Sequence, residues 1–249
     1  MRFYPNPVAD KELISVTSVN DVISKPSLYK WNGTQAARRA VENLEDIKAM
    51  LKAEGKLKTV EWIASSAEEK RDNSAARGTR VHKAIERHLD GEDTKSATDK
   101  LVDAREQGMF EGYLAFSDDY ELDVQRQEVG VCNPEHGWAG RYDWLGSCYG
   151  SFGENIVGDW KTGATGPHST WALQLAAYAN GTIYVDSGEE IPDNLVSRKI
   201  ALAVRLYPGS YSTHWLDGKD GRPSLKELYM VFRAARVVWE FEQQGRLWN

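Results

Sequence analysis

Gly140-Arg141-Tyr142-Asp143-Trp144-Leu145-Gly146, followed by Ile156-Val157-Gly158-Asp159-Trp160-Lys161-Thr162-Gly163, decides the fold. Both stretches are short, rich in aromatic or β-branched residues and bounded by glycine, so Arg141 to Cys148 and Asn155 to Trp160 read as consecutive strands. The intervening Tyr149-Gly150-Ser151-Phe152-Gly153 supplies their turn. Residues two apart on a strand leave the same face, which puts Asp159 and Lys161 together. If the hairpin folds about residue 151, Asp143 lies opposite Asp159 on that face. Two carboxylates and one ammonium then meet at the end of an apolar strand pair, a costly arrangement unless a cation or substrate completes it.

Working outward, Val124 to Val131 reads as a preceding strand. After Gly163 comes a Gly/Pro loop, then a helix from an N-cap at Ser169 to about Asn180. Lys199 to Leu206 and Tyr211 to Leu216 form a second hairpin around Pro208-Gly209. Ser224-Leu225-Lys226-Glu227 is a capping box that opens a long helix with Leu225, Leu228, Phe232, Ala235 and Trp239 on one side. Upstream, Thr17 to about Lys58 is helical, with Ser18 as candidate N-cap, a break at Lys25-Pro26-Ser27 and a longer segment from Ala36 to Ala53. Arg77 to Leu89 is a helix ended by Asp90-Gly91-Glu92, and Leu101 to Tyr120 is another. This order predicts an α+β (α/β layered) fold, a central mixed β-sheet flanked by helices. Residues 1–76 read as a helical region packed on a core of 77–249, the whole forming one compact domain.

The composition is 41% apolar and 27% charged, which excludes disorder, collagen and fibre and leaves material for one sizeable core. A net charge of −6 excludes coating nucleic acid by bulk electrostatics and leaves room only for a local basic groove. Cys132 and Cys148 are too few for a disulfide scaffold, a four-thiolate zinc site or an iron–sulfur cluster, and read as reduced core thiols. The N-terminal MRFYPNPVADKELISV lacks a signal-peptide profile, and no apolar run reaches spanning length. The expectation is a soluble cytoplasmic protein without a membrane partner.

Hard cations such as Mg²⁺ or Mn²⁺ take oxygen ligands, and two aspartates supply the charge while leaving positions for water and a phosphate oxygen. With Lys161 to orient the nucleophile or neutralise developing charge, the set suits phosphodiester hydrolysis. An acid two residues before a lysine occurs six times in the chain, so the spacing alone carries nothing. Only the pair at 159 and 161 ends an apolar strand, and Lys161 is the sole lysine between Lys100 and Lys199. His82 and Glu86 lie one helical turn apart, and His82 reads either as a further metal ligand or as a packed histidine. Gln174 and Tyr178 share a helical face just after the lysine strand, where they either contact phosphate and brace the site or serve the core.

This order of features resembles the RecB-like branch of the PD-(D/E)XK nuclease superfamily, to which CRISPR-associated exonucleases, recombination-helicase nuclease domains and many phage exonucleases belong. The resemblance runs from Gly78 to Tyr178: Gly78 and His82 on a helix, Glu128 on a strand, Gly140 and Asp143, Asp159 and Lys161, then Gln174 and Tyr178. It implies a restriction-endonuclease-like core, metal ligation by His82, Asp143, Asp159 and the Trp160 carbonyl, catalysis through Lys161 with Asp143 and Asp159, and one or two Mg²⁺ or Mn²⁺ ions. Gln174 and Tyr178 would be the signature pair of the branch. The side chain of Glu128 faces either way on this reading, and the family more often has glutamate where Asp159 stands.

Trp138, Trp144, Trp160 and Trp171 surround the expected site and read as core anchors, with one or two stacking bases of a strand. Arg77, Arg80, Lys83 and Arg87 form either a phosphate-binding stripe or a solvated helix face. The implied activity is a metal-dependent deoxyribonuclease, an exonuclease at single-stranded or duplex DNA ends in phage or bacterial recombination, replication or repair, with a recombination or replication protein as candidate partner. The alternatives are a catalytically silent nuclease-fold protein that binds DNA or a partner, and a nuclease acting on RNA. The sequence does not give the oligomeric state.

Overall fold

Leu13-Ile14-Ser15 is buried and extended, and it draws the N-terminus into the sheet. The computed structural model describes residues 1–23, 26–163 and 168–243, without the side chains of Pro26 and Ser27. Lys25 of the expected break and most of the Gly/Pro loop after Gly163 lie outside the described residues. Strand β1 (Phe3–Tyr4) pairs antiparallel with β2 (Leu13–Ser15), which leads directly into helix α1 (Val16–Asn20). The N-cap is Ser15, whose Oγ accepts from Ser18 N–H at 3.0 Å. The cap thus falls three residues before Ser18, because the strand ends there and the first helical turn needs an acceptor at that point.

The chain forms two compact units, one of residues 1–23 with 80–249 and one of residues 24–79. The first 23 residues therefore belong to the sheet unit, which differs from an N-terminal helical region of 1–76. Residues 24–79 hold α2 (Pro26–Glu42), α3 (Leu44–Ala53), α4 (Lys56–Ala64) and the beginning of α5 (Ser66–Leu89). Arg39 ties this unit together: its guanidinium donates to the Trp62 carbonyl at 2.7 Å, pairs with Glu69 at 2.5 Å and stacks on the Trp62 ring.

In the sheet unit, α5 is followed by α6 (Thr94–Ala97) and α7 (Ala104–Asp119), the latter capped by Asp103. Three strands follow, β3 (Asp123–Asn133), β4 (Trp138–Ser147) and β5 (Ile156–Lys161), then α8 (Ser169–Tyr178), β6 (Ile183–Tyr184), the hairpin β7 (Ala201–Tyr207) and β8 (Ser210–Leu216), and α9 (Leu225–Gln243). Helix α8 is capped by His168, one residue before the expected Ser169, without a side-chain bond. The capping box of α9 forms as expected, Ser224 N–H donating to Glu227 and Glu227 N–H to Ser224 Oγ.

The fold is α+β, with an open, mixed eight-stranded sheet in the order β1-β2-β4-β5-β7-β8 and with β3 beside β4 and β6 beside β3. β2 and β4 are parallel, as are β5 and β7, the latter joined through α8. Helices α1, α8 and α9 cover one face, with Leu225, Phe232, Ala235 and Trp239 buried in that layer. Residues 80–89, α6 and α7 cover the other, packing Val81, Ile85, Phe110 and Phe116 on Trp144 and Trp160. Cys132 and Cys148 are buried free thiols in the core, pushed up to about 11 by desolvation and so inert. Among the described residues, no helix is long and apolar enough to cross a membrane.

Candidate active site

One edge of β4 is shared by two neighbours. Trp138 and Ala139 pair with β2, while Trp144 to Gly146 pair with β5, so the described ladder leaves residues 140–143 of that edge without a strand partner. The β4/β5 register is centred on residue 151, as the turn predicts, and it would next bring Asp143 opposite Asp159. There the strands fork, and the Trp160 N–H donates to Oδ2 of Asp143 at 2.6 Å.

Two backbone irregularities aim the acids at this fork. Along β4, Trp138 and Tyr142 face the α8/α9 layer, and Leu145 does so too, so alternation slips at Asp143. On β3, Glu128 falls between the register pairs Gln127↔Trp144 and Val129↔Tyr142, hence opposite Asp143, and its φ is +51°. A left-handed conformation at a residue other than glycine is strained, and such strain concentrates at functional sites. Residue 82 arrives from α5, with Nδ1 of His82 3.5 Å from Oδ2 of Asp143. One ligand atom from each of His82, Glu128 and Asp143 lies within 4.8 Å of the other two.

The second half of the site lies on β5. Asp159 is 3% exposed and forms an ion pair with Lys161. Lys161 Nζ also donates to Gln174 Oε1 at 2.9 Å and stands over the Trp171 ring. Gln174 Nε2 reaches Asp159 Oδ1 at 3.4 Å and donates to Tyr178 OH at 3.0 Å. Gln174 and Tyr178 thus brace the acid and the lysine from α8. Tyr178 comes that close because position 140 is glycine: a Cβ there would lie 2.5 Å from Tyr178 Cε1. Gly158 is required in the same way, since its Cβ would overlap the Trp144 indole.

The electrostatics follow from burial of several like charges. Desolvation, then the neighbouring Asp143 charge, raise Asp159 to about 6. Glu128 is likewise raised by desolvation and by Asp143. Desolvation opposes charge on His82, but the Asp143 carboxylate, by charge and hydrogen bond, overrides it and lifts the imidazole to about 9. Desolvation opposes charge on Asp143 too, and His82 together with Lys161 holds its carboxyl below the usual range. Oδ2 of Asp159 is buried and, among the described residues, meets Lys161 as an ion pair without a properly oriented hydrogen bond. An imidazole nitrogen and two carboxylate oxygens, from His82, Glu128 and Asp143, gathered within 4.8 Å of one another are a donor set that fits a hard divalent cation, and Asp159 lies outside that group.

Comparison with known proteins adds no family. No family model matches the chain, and no curated protein matches it.

Not every expected residue joins the site. Arg80 is committed elsewhere: its guanidinium forms a bidentate pair, at 2.6 and 3.0 Å, with the fully buried Glu106 at the start of α7. Arg87 pairs with Glu92 and Asp99, and Lys83 with Glu86, so with Arg80 three of the four stripe residues are held in ion pairs. Glu86 pairs with Lys83, and its charge acts on Glu128. Trp138, Trp144 and Trp160 are core residues, which leaves Trp171 as the half-exposed tryptophan of the four. The sequence reading missed a neighbouring polar strip. Arg205 is the register partner of Lys161 and shares its face, with its guanidinium over the Tyr207 ring at 4.6 Å. His214, opposite Ala203 on β8, meets Trp171 edge-on at 6.1 Å. Alternation along β7 was the available signal, but nothing local to residues 205–214 places them beside residue 161.

Proposed function

We propose that the chain is a divalent-metal-dependent deoxyribonuclease that acts as an exonuclease at DNA ends. The observation that carries this reading is the cluster of His82, Glu128 and Asp143 at the fork of β4 and β5, with the Asp159–Lys161 ion pair on the adjoining strand β5. His82, Asp143 and Asp159 would hold Mg²⁺ or Mn²⁺, with Glu128 joining them. Such an ion, when bound, activates water and stabilises charge on the scissile phosphate. Lys161 sets Nζ beside Asp159, where it would neutralise an incoming phosphate; Gln174 and Trp171 fix its position. Gln174 also carries the brace through to Tyr178, so the lysine and the acid are set before substrate arrives.

Nucleic acid as the substrate is supported by what lies next to Lys161. Tyr207, His214 and Trp171, all partly exposed, give aromatic contacts along one sheet face beside the buried Arg205, suited to a strand held without base readout. The test is cleavage of end-labelled linear single-stranded and duplex DNA, circular DNA and RNA, with Mg²⁺ or Mn²⁺ and with chelator. Degradation of linear DNA, resistance of circles and loss with chelator are expected. DNA binding without turnover across metals would instead assign a silent nuclease-fold binder, and preferential loss of RNA a ribonuclease.

A further inference from the structure

Helix α9 is apolar on two opposite sides. Its inner side, with Phe232 and Trp239, is buried in the core. Its outer side carries Met230, Val231, Ala234, Val237, Val238 and Phe241, all exposed, with Val237 at 67% and Met230 and Phe241 at 60%. Positions 230, 234, 237 and 241 recur with the 4-3-4 spacing of a coiled-coil seam, and 231 and 238 repeat at seven alongside it. An apolar stripe of this length is unusual on a lone soluble chain and marks an interface.

The geometry points to a second copy of this chain as the occupant, in a symmetric dimer with the two α9 helices antiparallel across this seam. The two-fold arrangement that layers Ala234 on the partner's Val237 also layers Met230 on the partner's Phe241. It sets Val231 beside the partner's Val238, and Arg233 beside the partner's Glu240. Every seam layer is therefore apolar against apolar, and the flanking pair is of opposite charge. Arg233 has no ion-pair partner among the described residues, and Glu240, paired with Arg236 at 3.2 Å, keeps a 47% exposed side chain. The seam is thus self-complementary, which is what an isologous interface requires. Covering the six side chains on both copies removes on the order of 1,000 Å² from solvent, the lower bound for a specific interface. This inference is independent of the nuclease reading.

The experiment is sedimentation velocity of the full chain across micromolar concentrations, with circular dichroism to check folding. A dimer is expected for the wild type and a monomer for folded Val237→Glu. Arg233→Glu and Glu240→Arg should each weaken the dimer at least tenfold, and the double exchange should restore it. The double exchange keeps the test decisive if Val237→Glu does not fold. A monomeric wild type overturns the inference, as does a dimer that survives Val237→Glu, or single charge reversals that leave association unchanged.

Discussion

Gly140→Ala tests how the site is braced. The added Cβ would lie 2.5 Å from Cε1 of Tyr178 and 3.2 Å from both its Cζ and its hydroxyl oxygen. An ordinary carbon contact is about 3.5 Å or more, so the ring must retreat by roughly 1 Å. Tyr178 is 4% exposed and lies in the buried core on the α8/α9 side of the sheet, so its ring cannot retreat without moving neighbours. Overpacking of this kind costs about 1–3 kcal/mol. For a chain of this size that lowers Tm by about 2–12 °C. The displaced ring also pulls on the 3.0 Å bond from Gln174, and so on Lys161 and Asp159. A shift of about 1 Å at reacting groups costs up to roughly a hundredfold in turnover. The assays are thermal unfolding followed by circular dichroism and initial rates on linear DNA with Mn²⁺. Tyr178→Leu combined with Gly140→Ala should unfold less readily than the sum of the single changes, because the smaller side chain relieves the clash. A Gly140→Ala variant with wild-type Tm and rate would refute the argument that Tyr178 depends on the missing Cβ.

Gly158→Ala drives a methyl into the Trp144 indole, which is fully buried, and should leave little soluble folded protein, scored as soluble yield and Tm. Arg80→Met removes the bidentate partner of the fully buried Glu106, which keeps the Val102 N–H at 3.0 Å, and should lower Tm while the folded fraction keeps its specific activity; an activity loss without a Tm loss would place Arg80 in the site instead. Asp159→Asn removes a buried carboxylate that neighbours the half-buried Asp143, so it should raise Tm in chelator while abolishing cleavage, read from paired melting and nuclease assays. Ser15→Ala removes the cap of α1 and should lower stability by about 1 kcal/mol in denaturant titration.

Much of the sheet core was legible because its signals are local. Glycine-bounded apolar runs gave β4 and β5, the turn centre at 151 gave their register, and period two put Asp159 with Lys161. The capping box at Ser224 and the inner stripe of α9 were readable for the same reason. What escaped depends on contacts distant in sequence. β2 is three residues long, too short for any period, and becomes a strand only because β4 offers an edge. Glu128 could not be oriented, since its left-handed backbone breaks the alternation from which a face is read. Arg80 looked like a phosphate ligand because Glu106, its buried partner, lies on another helix. The outer stripe of α9 was hidden among residues that count as ordinary core formers until their exposure was known.

The central claim is that the fork between β4 and β5 holds a hard divalent ion, and binding of Mn²⁺ followed by electron paramagnetic resonance measures it without relying on turnover. The wild type should sequester Mn²⁺ competitively with Mg²⁺, and Asp143→Asn and Asp159→Asn should each weaken that binding at least tenfold with the fold intact. Binding that is absent in the wild type, or equally strong in both variants, would contradict the account.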